Sequence, residues 1–313
     1  GLGEACSTVS AALNGEAADV NTLADARMAE DLSPKQTDTI LLSAAILEAQ
    51  GQHELAIEAY NQIPREDPAF VSAELGRADA LIAANQEDAA IEALRQLARA
   101  YPNRADIWGQ LGDILRRQER YADAAGAYDK AIETFAGDEA GQWVIYYTRG
   151  IVRERTNDWT GAEADFRKAL ELRPDQPSVL NYLGYSYLER QENYDEALMM
   201  IEKAAAERPD DGAIVDSLGW ALYRLGRYDE AVGKIEHAIE LMPVDPVVND
   251  HLGDVYWAVG RKLEAEFQWK RALSFEPDSE EEASRIRRKL EVGLDVVLKE
   301  EGAKPLAVTK NGN

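Results

Sequence analysis

Apolar residues recur along this chain at the spacing of a helix, and small residues separate the runs. The stretch 212–243 shows the arrangement. Two short apolar runs stand on either side of Gly226, which suits the left-handed turn that ends many helices. Pro243 closes the second run, because proline cannot continue a helix. Alternation typical of strands does not reach useful length, so the pattern predicts an all-α fold. The apolar and small positions are Leu218, Gly219, Leu222, Ala231, Ile235 and Ala238.

The arrangement repeats 34 residues later. Gly219 is followed by Gly253, and Pro243 by Pro277, because 253 − 219 and 277 − 243 both equal 34. A fixed period of this size indicates a repeat architecture over 3–277, in which each helix pair buries its apolar side against its neighbours. The period predicts about eight units, of which the first is degenerate. Their approximate bounds are 3–36, 37–68, 69–104, 105–142, 143–176, 177–211, 212–245 and 246–278.

A different kind of segment follows the last repeat. Ser279 is a suitable N-cap, and Glu282 three residues later completes a capping box. The segment 279–301 is therefore expected to form one helix that covers the last apolar surface, and 302–313 is expected to be a flexible tail. The apolar side of this helix would contain Ile286, Leu290, Leu294 and Val297.

The repeats resemble the tetratricopeptide repeat family. The resemblance rests on DSLGWALYRLG at Asp216–Gly226, on the Ala231 and Pro243 that follow it, and on the matching positions of the next unit. It implies a right-handed α-solenoid, or superhelix, of about eight helix-turn-helix repeats with a C-terminal capping helix. It also implies that ligands lie in a concave groove lined by the first helix of each repeat.

Aromatic and polar side chains occupy the groove positions that this resemblance assigns, mostly in the C-terminal half of the chain. Large aromatic side chains bury much area at a small entropic cost, and an asparagine can hold the backbone of a bound peptide. Carboxylates among them favour a ligand with basic residues or a free amine. The alternative for the aromatic residues is packing between neighbouring first helices, and the sequence leaves both roles open. The predicted binding residues are Tyr147, Asn181, Tyr185, Asp216, Trp220, Tyr223, Arg224, Asp250, Asp254 and Trp257.

The chain is strongly acidic, with 34 basic and 58 acidic residues and a net charge of −24. Such a surface repels phosphates, so neither nucleic acid nor an anionic membrane surface is expected as a partner. The acidity either keeps an extended protein soluble or selects basic partners. No apolar run approaches the ~18 residues of a membrane-spanning helix, so no direct membrane insertion is expected for this fragment. The chain starts at Gly1 rather than Met, which we interpret as a processed product or an excised piece.

Candidate chemical groups are sparse. His53, His237 and His251 fall in three different repeats, without the spacing of a metal-binding motif. The sequence contains no glycine loop of the phosphate-binding kind. Cys6 is the one cysteine, so an intrachain disulfide cannot form. These observations predict a protein that is not an enzyme, that has no cofactor or metal, and whose histidines are structural.

The sequence therefore predicts a non-catalytic scaffold or adaptor that binds a peptide or protein segment in its groove. Two alternatives stay open. One is a self-assembly module that docks through its terminal repeats, because the end of a repeat array exposes apolar surface. The other is an accessory domain of a larger protein that has been truncated.

A narrower resemblance concerns the last repeats. The runs VDSLGWALYRLGRYDEAV and DHLGDVYWAVGRKLEAEFQWKRAL are similar to the C-terminal repeats of long bacterial tetratricopeptide proteins. Some of these are exported to the periplasm, often as outer-membrane lipoproteins, and members act as adaptors that bring substrates to a carboxyl-terminal processing protease. The resemblance implies a periplasmic or outer-membrane location, with a protease or an assembly partner. A cytoplasmic location is the alternative.

Overall fold

The structure is a computed structural model that describes residues 37–135 and 141–303 together with Leu306. Every regular element among these residues is a helix, which confirms the predicted all-α fold. Successive helices are short and joined by tight turns, so they form the helix-turn-helix pairs that the repeat pattern predicts.

The chain divides into two compact units, Gly1–Asp165 and Phe166–Asn313. The predicted repeat near 3–36, which contains Cys6, lies outside the described residues. Most of the predicted tail over 302–313 lies outside them as well.

In the described part of the first unit, each helix packs on the next one along the chain. Helix pairs α1/α2, α3/α4 and α5/α6 form in this way, and the second helix of each pair also contacts the first helix of the following pair. Helix α8 crosses the division between the units. The bounds are α1 Thr37–Ala49, α2 His53–Tyr60, α3 Phe70–Ala83, α4 Glu87–Ala100, α5 Ala105–Arg117, α6 Tyr121–Thr134, α7 Gln142–Arg155 and α8 Trp159–Leu172.

The second unit continues the same scheme with three pairs and two terminal helices. The pairs are α9/α10, α11/α12 and α13/α14, then α15 packs on α14 and α16 packs on α15. The bounds are α9 Pro177–Glu189, α10 Tyr194–Glu207, α11 Gly212–Arg224, α12 Tyr228–Leu241, α13 Pro246–Ala258, α14 Lys262–Ser274, α15 Glu280–Val292 and α16 Leu294–Glu300.

The first helices of the second unit lie side by side. Helix α9 contacts α11, and α11 contacts α13, whereas the second helices of these described pairs approach one another less closely. The side on which helices lie closer together is the concave side of a stacked array. We call the surface formed by α9, α11 and α13 the inner face of the second unit.

A left-handed residue makes the turn inside a pair. Gly226 has a φ of +75°, and its N–H donates to the carbonyl of Tyr223 at 2.9 Å. The N–H of Arg227 donates to the carbonyl of Leu222 at 2.9 Å, and these two bonds satisfy the last carbonyls of α11. Asn85 takes the corresponding place after α3 with a φ of +59°. The turn geometry is therefore kept where the glycine is replaced by a residue that tolerates this conformation.

The segment 279–301, predicted as one helix, contains two. Ser279 caps α15, because its hydroxyl accepts a hydrogen bond from the N–H of Glu282 at 3.2 Å. Gly293 then interrupts the helix with a φ of +85° and a ψ of 155°. A Cβ at this position would lie 2.6 Å from the ring of Trp257, so the chain can turn here only without a side chain. Helix α16 starts at the next residue.

The close packing of α11 against α12 depends on Gly219. A Cβ added to Gly219 would overlap the side chain of Ile235, which lies directly against the glycine backbone. Gly233 in the interior of α12 differs, because a Cβ added there would meet open space.

We expect Gly219→Ala to lower the free energy of unfolding by about 1–3 kcal/mol, because the added methyl group overpacks the contact with Ile235. Gly233→Ala is the matched control and should raise it by about 0.5–1 kcal/mol, since alanine suits a helix interior better than glycine. Urea unfolding followed by circular dichroism measures both changes. A shift of the same sign and size in the two variants would contradict the role given to Gly219.

Candidate functional site on the inner face

Helix α11 lies at the centre of the inner face and is almost entirely buried. Asp216, Trp220 and Tyr223 follow one another at helical spacing, so they share one side of the helix. Their exposed fractions are only 5, 8 and 6 %. The indole of Trp220 stacks on the ring of Tyr223, with centroids 4.7 Å apart, and on the imidazole of His251 in α13, at 3.9 Å. These rings therefore pack between neighbouring first helices, and a binding role for them stays a prediction.

His251 and Asp216 form a buried pair that joins α13 to α11. Nδ1 of His251 lies 2.8 Å from Oδ2 of Asp216. Burial by itself lowers the pKa of His251. The charge and the hydrogen bond of Asp216, with the charges of Asp250 and Asp254, outweigh burial and raise this pKa above its usual value of 6.5. The pair therefore favours the protonated imidazole.

The remaining carboxylates of α13 hold a lysine from α15. Nζ of Lys289 lies 2.7 Å from Oδ2 of Asp250 and 2.7 Å from Oδ1 of Asp254. Trp269 donates its indole N–H to Oδ1 of Asp254 at 2.9 Å. Lys289 is only 1 % exposed, so its charge is compensated inside the protein. Burial raises the pKa of Asp254, and the positive charge of Lys289 opposes this shift.

Arg285 is the second cation that α15 brings to these aspartates. Its guanidinium lies 3.9 Å from Asp250 and 3.8 Å from Asp254, and its Nε donates to Glu301 at 2.7 Å. The carboxylates predicted to select a basic partner thus already meet basic residues of their own chain. A role of Asp250 and Asp254 in binding a partner stays a prediction.

Trp257 lies under the start of α16. Its indole N–H donates to Asp295 at 2.9 Å, and its ring tilts against that of Trp269 with centroids 5.3 Å apart. Nζ of Lys262 lies 4.4 Å from the centroid of the Trp257 ring, a cation–π contact. Helices α15 and α16 therefore cover the C-terminal end of the inner face.

The opposite end of the inner face is more accessible. Asn181 and Tyr185 in α9 and Arg224 at the end of α11 are half-buried, and Glu189 is exposed. Glu189 accepts a hydrogen bond from the indole N–H of Trp220 at 3.0 Å and lies 3.7 Å from the guanidinium of Arg224. We call Asn181, Tyr185, Glu189 and Arg224 the open edge.

Tyr185 stands among carboxylates at this edge. Burial raises the pKa of its hydroxyl, and the charges of Glu189 and Asp216 and of Glu282 in α15 raise this pKa further. Arg224 acts in the opposite direction. Side chains from α9, α11 and α15 therefore influence one another at Tyr185.

Nine of the ten predicted binding residues lie in the second unit, and Tyr147 lies on α7 of the first unit. Tyr147 is half-buried. Burial raises the pKa of its hydroxyl against the opposing charge of Arg116. Its part in binding stays a prediction.

Sequence reasoning did not assign Lys289, Arg285 and His251 to the inner face. One signal was available for Lys289, which follows Ile286 by three residues and precedes Gly293 by four, so it shares the apolar stripe of α15. A lysine on such a stripe needs a partner, because lysine is almost never buried unpaired. The partner could not be derived, since Asp250 stands 39 residues earlier.

The described part of the chain contains neither a metal-binding cluster nor a membrane-spanning helix. There, no three His, Cys, Asp or Glu side chains are grouped so that they could hold a metal ion. Likewise, none of the described helices is both long and apolar enough to cross a bilayer.

Two family models, both described as "Tetratricopeptide repeat", match this chain. One matches residues 75–139, 147–211 and 186–246, and the other matches residues 38–69. Together the matches cover more than half of the 313 residues.

Two longer proteins are similar to this chain in sequence. The TPR repeat-containing protein PA4667 of Pseudomonas aeruginosa is 33 % identical over 187 residues, which are 58 % of this chain and 30 % of that protein. Tetratricopeptide repeat protein 13 of Homo sapiens is 27 % identical over 190 residues, which are 59 % of this chain and 21 % of that protein. The matched part thus spans less than a third of either relative.

Two solved structures are similar in fold. The crystal structure of the APC/C hetero-tetramer Cut9-Hcn1 matches with a TM-score of 0.64 at 18 % identity, over 88 % of this chain and 52 % of that chain. A tetratricopeptide repeat protein from Parabacteroides merdae matches with a TM-score of 0.61 at 15 % identity, over 82 % of this chain and 98 % of that chain. At these identities the likeness concerns the fold alone.

We expect Lys289→Met to detach α15 from the inner face, because it removes the cation closest to the buried Asp254 and the half-buried Asp250. Removing one partner of a buried ion pair costs about 3–5 kcal/mol, so protection of the α15 and α16 amides from hydrogen exchange should fall by roughly a hundredfold or more. Lys299→Met, a substitution at an exposed lysine of α16, is the control and should change protection little. Unchanged protection in Lys289→Met would show that the ion pair does not hold α15.

The pKa of His251 lies above 6.5 in the folded protein, so protonation stabilises the fold. This stabilisation is fully present below about 6.5, the value for an unfolded chain, and is lost as the pH rises through the higher folded value. In Asp216→Asn the carboxylate charge that counteracts burial is gone. Burial should therefore lower the pKa of His251 relative to the wild type. Titration of the imidazole protons by NMR measures it, with the exposed His237 as the internal reference. An unchanged midpoint of His251 would contradict the assigned role of Asp216.

Proposed function

Because this chain belongs to the tetratricopeptide repeat family, we propose that it is a non-catalytic scaffold whose inner face holds a segment of another protein. The open edge is the observation that carries the proposal. There the ring of Tyr185, the amide of Asn181 and the opposite charges of two further residues lie on the neighbouring first helices α9 and α11. The charged residues are Glu189 and Arg224. Protein-binding surfaces combine aromatic anchors with polar neighbours in this way.

The predicted binding residues take different parts in this proposal. Asn181, Tyr185 and Arg224 are accessible enough to contact a bound segment. Trp220 and Tyr223 act beneath them, because Trp220 holds Glu189 through its indole N–H and stacks on Tyr223. Rigid support of this kind lowers the entropic cost that the contacting side chains meet on binding.

The partner that fits this surface is a peptide or protein segment with basic residues. The net charge of −24 attracts such segments over a distance of several ångströms and repels acidic ones. Asp216, Asp250 and Asp254 contribute to this field from the inner face, and Trp257 would extend the contact beyond the open edge.

In a longer protein this scaffold would serve as the recognition part of an adaptor. The sequence relatives are more than three times as long as the part they share with this chain, which leaves room for further domains in proteins of this kind. An adaptor built in this way would pass the bound segment to a protease or to an assembly partner.

Self-assembly is the second candidate, and one observation favours it. On α14, the second helix of the last pair, Leu263 and Phe267 are 79 and 58 % exposed and stand one helical turn apart. Covering this pair with a second copy of the chain would remove apolar surface from water.

We expect Tyr185→Ala combined with Arg224→Ala to weaken capture of the partner by about tenfold or more, because truncating central aromatic and arginine contacts commonly costs over 1 kcal/mol each. Immobilised wild-type and variant chains are compared for the proteins that they retain from an extract of the native cells. Circular dichroism should show the same helical content in both.

Leu263→Ala combined with Phe267→Ala is the matched control on α14, a helix that does not form the inner face. This variant should retain the partner at the wild-type level. Loss of capture in the α14 variant but not in the open-edge variant would reject the inner face as the binding surface. Light scattering over a concentration series distinguishes self-assembly from partner binding. If the chain self-assembles, its apparent mass should grow with concentration, and this growth should be smaller in the α14 variant.

A further inference from the structure

Two buried acceptor oxygens, one on α9 and one on α11, receive no hydrogen bond from the described part of the chain. They are Oδ1 of Asp216, whose Oδ2 pairs with His251, and Oδ1 of Asn181. Asp216 is 95 % buried, since its exposed fraction is 5 %. Buried acceptors in proteins are nearly always paired, because an unpaired one loses its hydration without replacement. Each oxygen is therefore a place where a donor from a ligand would be favourable.

The two residues hold equivalent places in neighbouring first helices. Asn181 in α9 and Asp216 in α11 each precede a Leu-Gly pair by two residues. Tyr185 follows Asn181 by one helical turn, so the two share a side of α9. The charge of Asp216 reaches the hydroxyl of Tyr185 across the helix contact. Asn181 and Tyr185 thus share one side of α9, and helix α11, which contacts α9, carries Asp216 at the equivalent place.

Negative charges outnumber positive ones around Asn181 and Asp216. The pair formed by Glu189 and Arg224 is neutral as a whole, and Arg285 is shared with Glu301. Even with a protonated His251 the sum is negative, so a cation is attracted and an anion is repelled. The other charged neighbours are the carboxylates of Asp216, Asp250, Asp254 and Glu282 and the cations of His251 and Lys289.

We propose that Asp216 and Asn181 form a subsite for one arginine side chain of the bound segment, which rests on the scaffold function proposed above. A guanidinium has five N–H donors in one plane and no acceptor, so it has enough donors for a carboxylate oxygen and an amide oxygen. The ring of Tyr185 supplies an aromatic face for the cation. Asp216 keeps its bond to His251 through Oδ2, so no existing hydrogen bond is broken.

Other side chains satisfy the two oxygens less well. An apolar side chain would leave both unpaired, and a carboxylate would meet negative charge. A lysine ammonium is a compact point charge that matches two separated acceptors less well than a planar fork does. The oxygens are buried, so a ligand reaches them only when neighbouring side chains change rotamer.

Titration of the full chain with small cations tests the subsite. The probe is n-butylguanidinium, and its binding is followed through the NMR signal of the Trp220 indole N–H, one helical turn from Asp216. n-Butylammonium and n-butanol are probes of similar length with a different head group. We expect n-butylguanidinium to bind with a dissociation constant of about 1 mM, as a fragment of this size can reach, and n-butanol to bind at least tenfold more weakly.

Three variants separate the subsite from general charge effects. Asp216→Asn removes the charge at constant shape and should weaken n-butylguanidinium binding about tenfold or more. Asn181→Leu should weaken it severalfold, and this result does not depend on the Asp216–His251 pair. Asp229→Asn removes one charge at an exposed position of α12 and should leave binding unchanged. Absence of n-butylguanidinium binding, equal binding of n-butanol, or equal affinity of wild type and Asn181→Leu would overturn the subsite.

The outcomes of this test and of the capture experiment can be told apart. If the open-edge variant loses the partner while n-butylguanidinium does not bind, the scaffold function stands and the arginine subsite fails. If n-butylguanidinium binds but the open-edge variant still captures the partner, the proposed binding surface fails, and with it the assignment of a protein segment to the subsite.

Discussion

The close approach of two helices at a glycine is the contact on which the pairs α5/α6, α9/α10, α11/α12 and α13/α14 depend. At Gly219 the side chain of Ile235 takes the space of a Cβ, and at Gly253 the ring of Trp269 does the same. Each first helix can therefore lie directly against its second helix, with close-packed side chains between them. A pair of this size cannot bury its apolar surface alone, so it stacks on the next pair. This stacking brings the first helices side by side on the inner face.

Polar side chains meet on that face as well, and burial decides their partners. Lys289 stands between Asp250 and Asp254, and His251 is bonded to Asp216. A buried ion pair adds little stability compared with an apolar contact, because desolvation offsets the attraction, but the loss of one partner is costly. These pairs therefore act mainly on position. They specify where α15 lies relative to α13 and where α13 lies relative to α11.

The inner face consequently has a covered end and an open edge. At the covered end, α16 lies over Trp257, and α15 occupies the carboxylates of α13 with its own cations. At the open edge, Tyr185 and Asn181 remain half-buried, and Asp216 retains an oxygen without a donor in the described part of the chain. A bound partner would therefore contact the open edge directly. The contacts at the covered end instead hold α15 and α16 in position on α13.

The sequence by itself determined the helices, their pairing and the side chains that share a face, because these depend on spacings of three, four and 34 residues within or between adjacent repeats. It also determined the cap at Ser279, but not the break at Gly293 that divides 279–301 into two helices. Only the tertiary structure decided which of those side chains are covered. Trp220 meets Glu189, 31 residues before it, and Lys289 reaches back 39 residues to Asp250. Exposure depends on the distance between neighbouring helices, and a repeat pattern specifies the neighbours without specifying that distance.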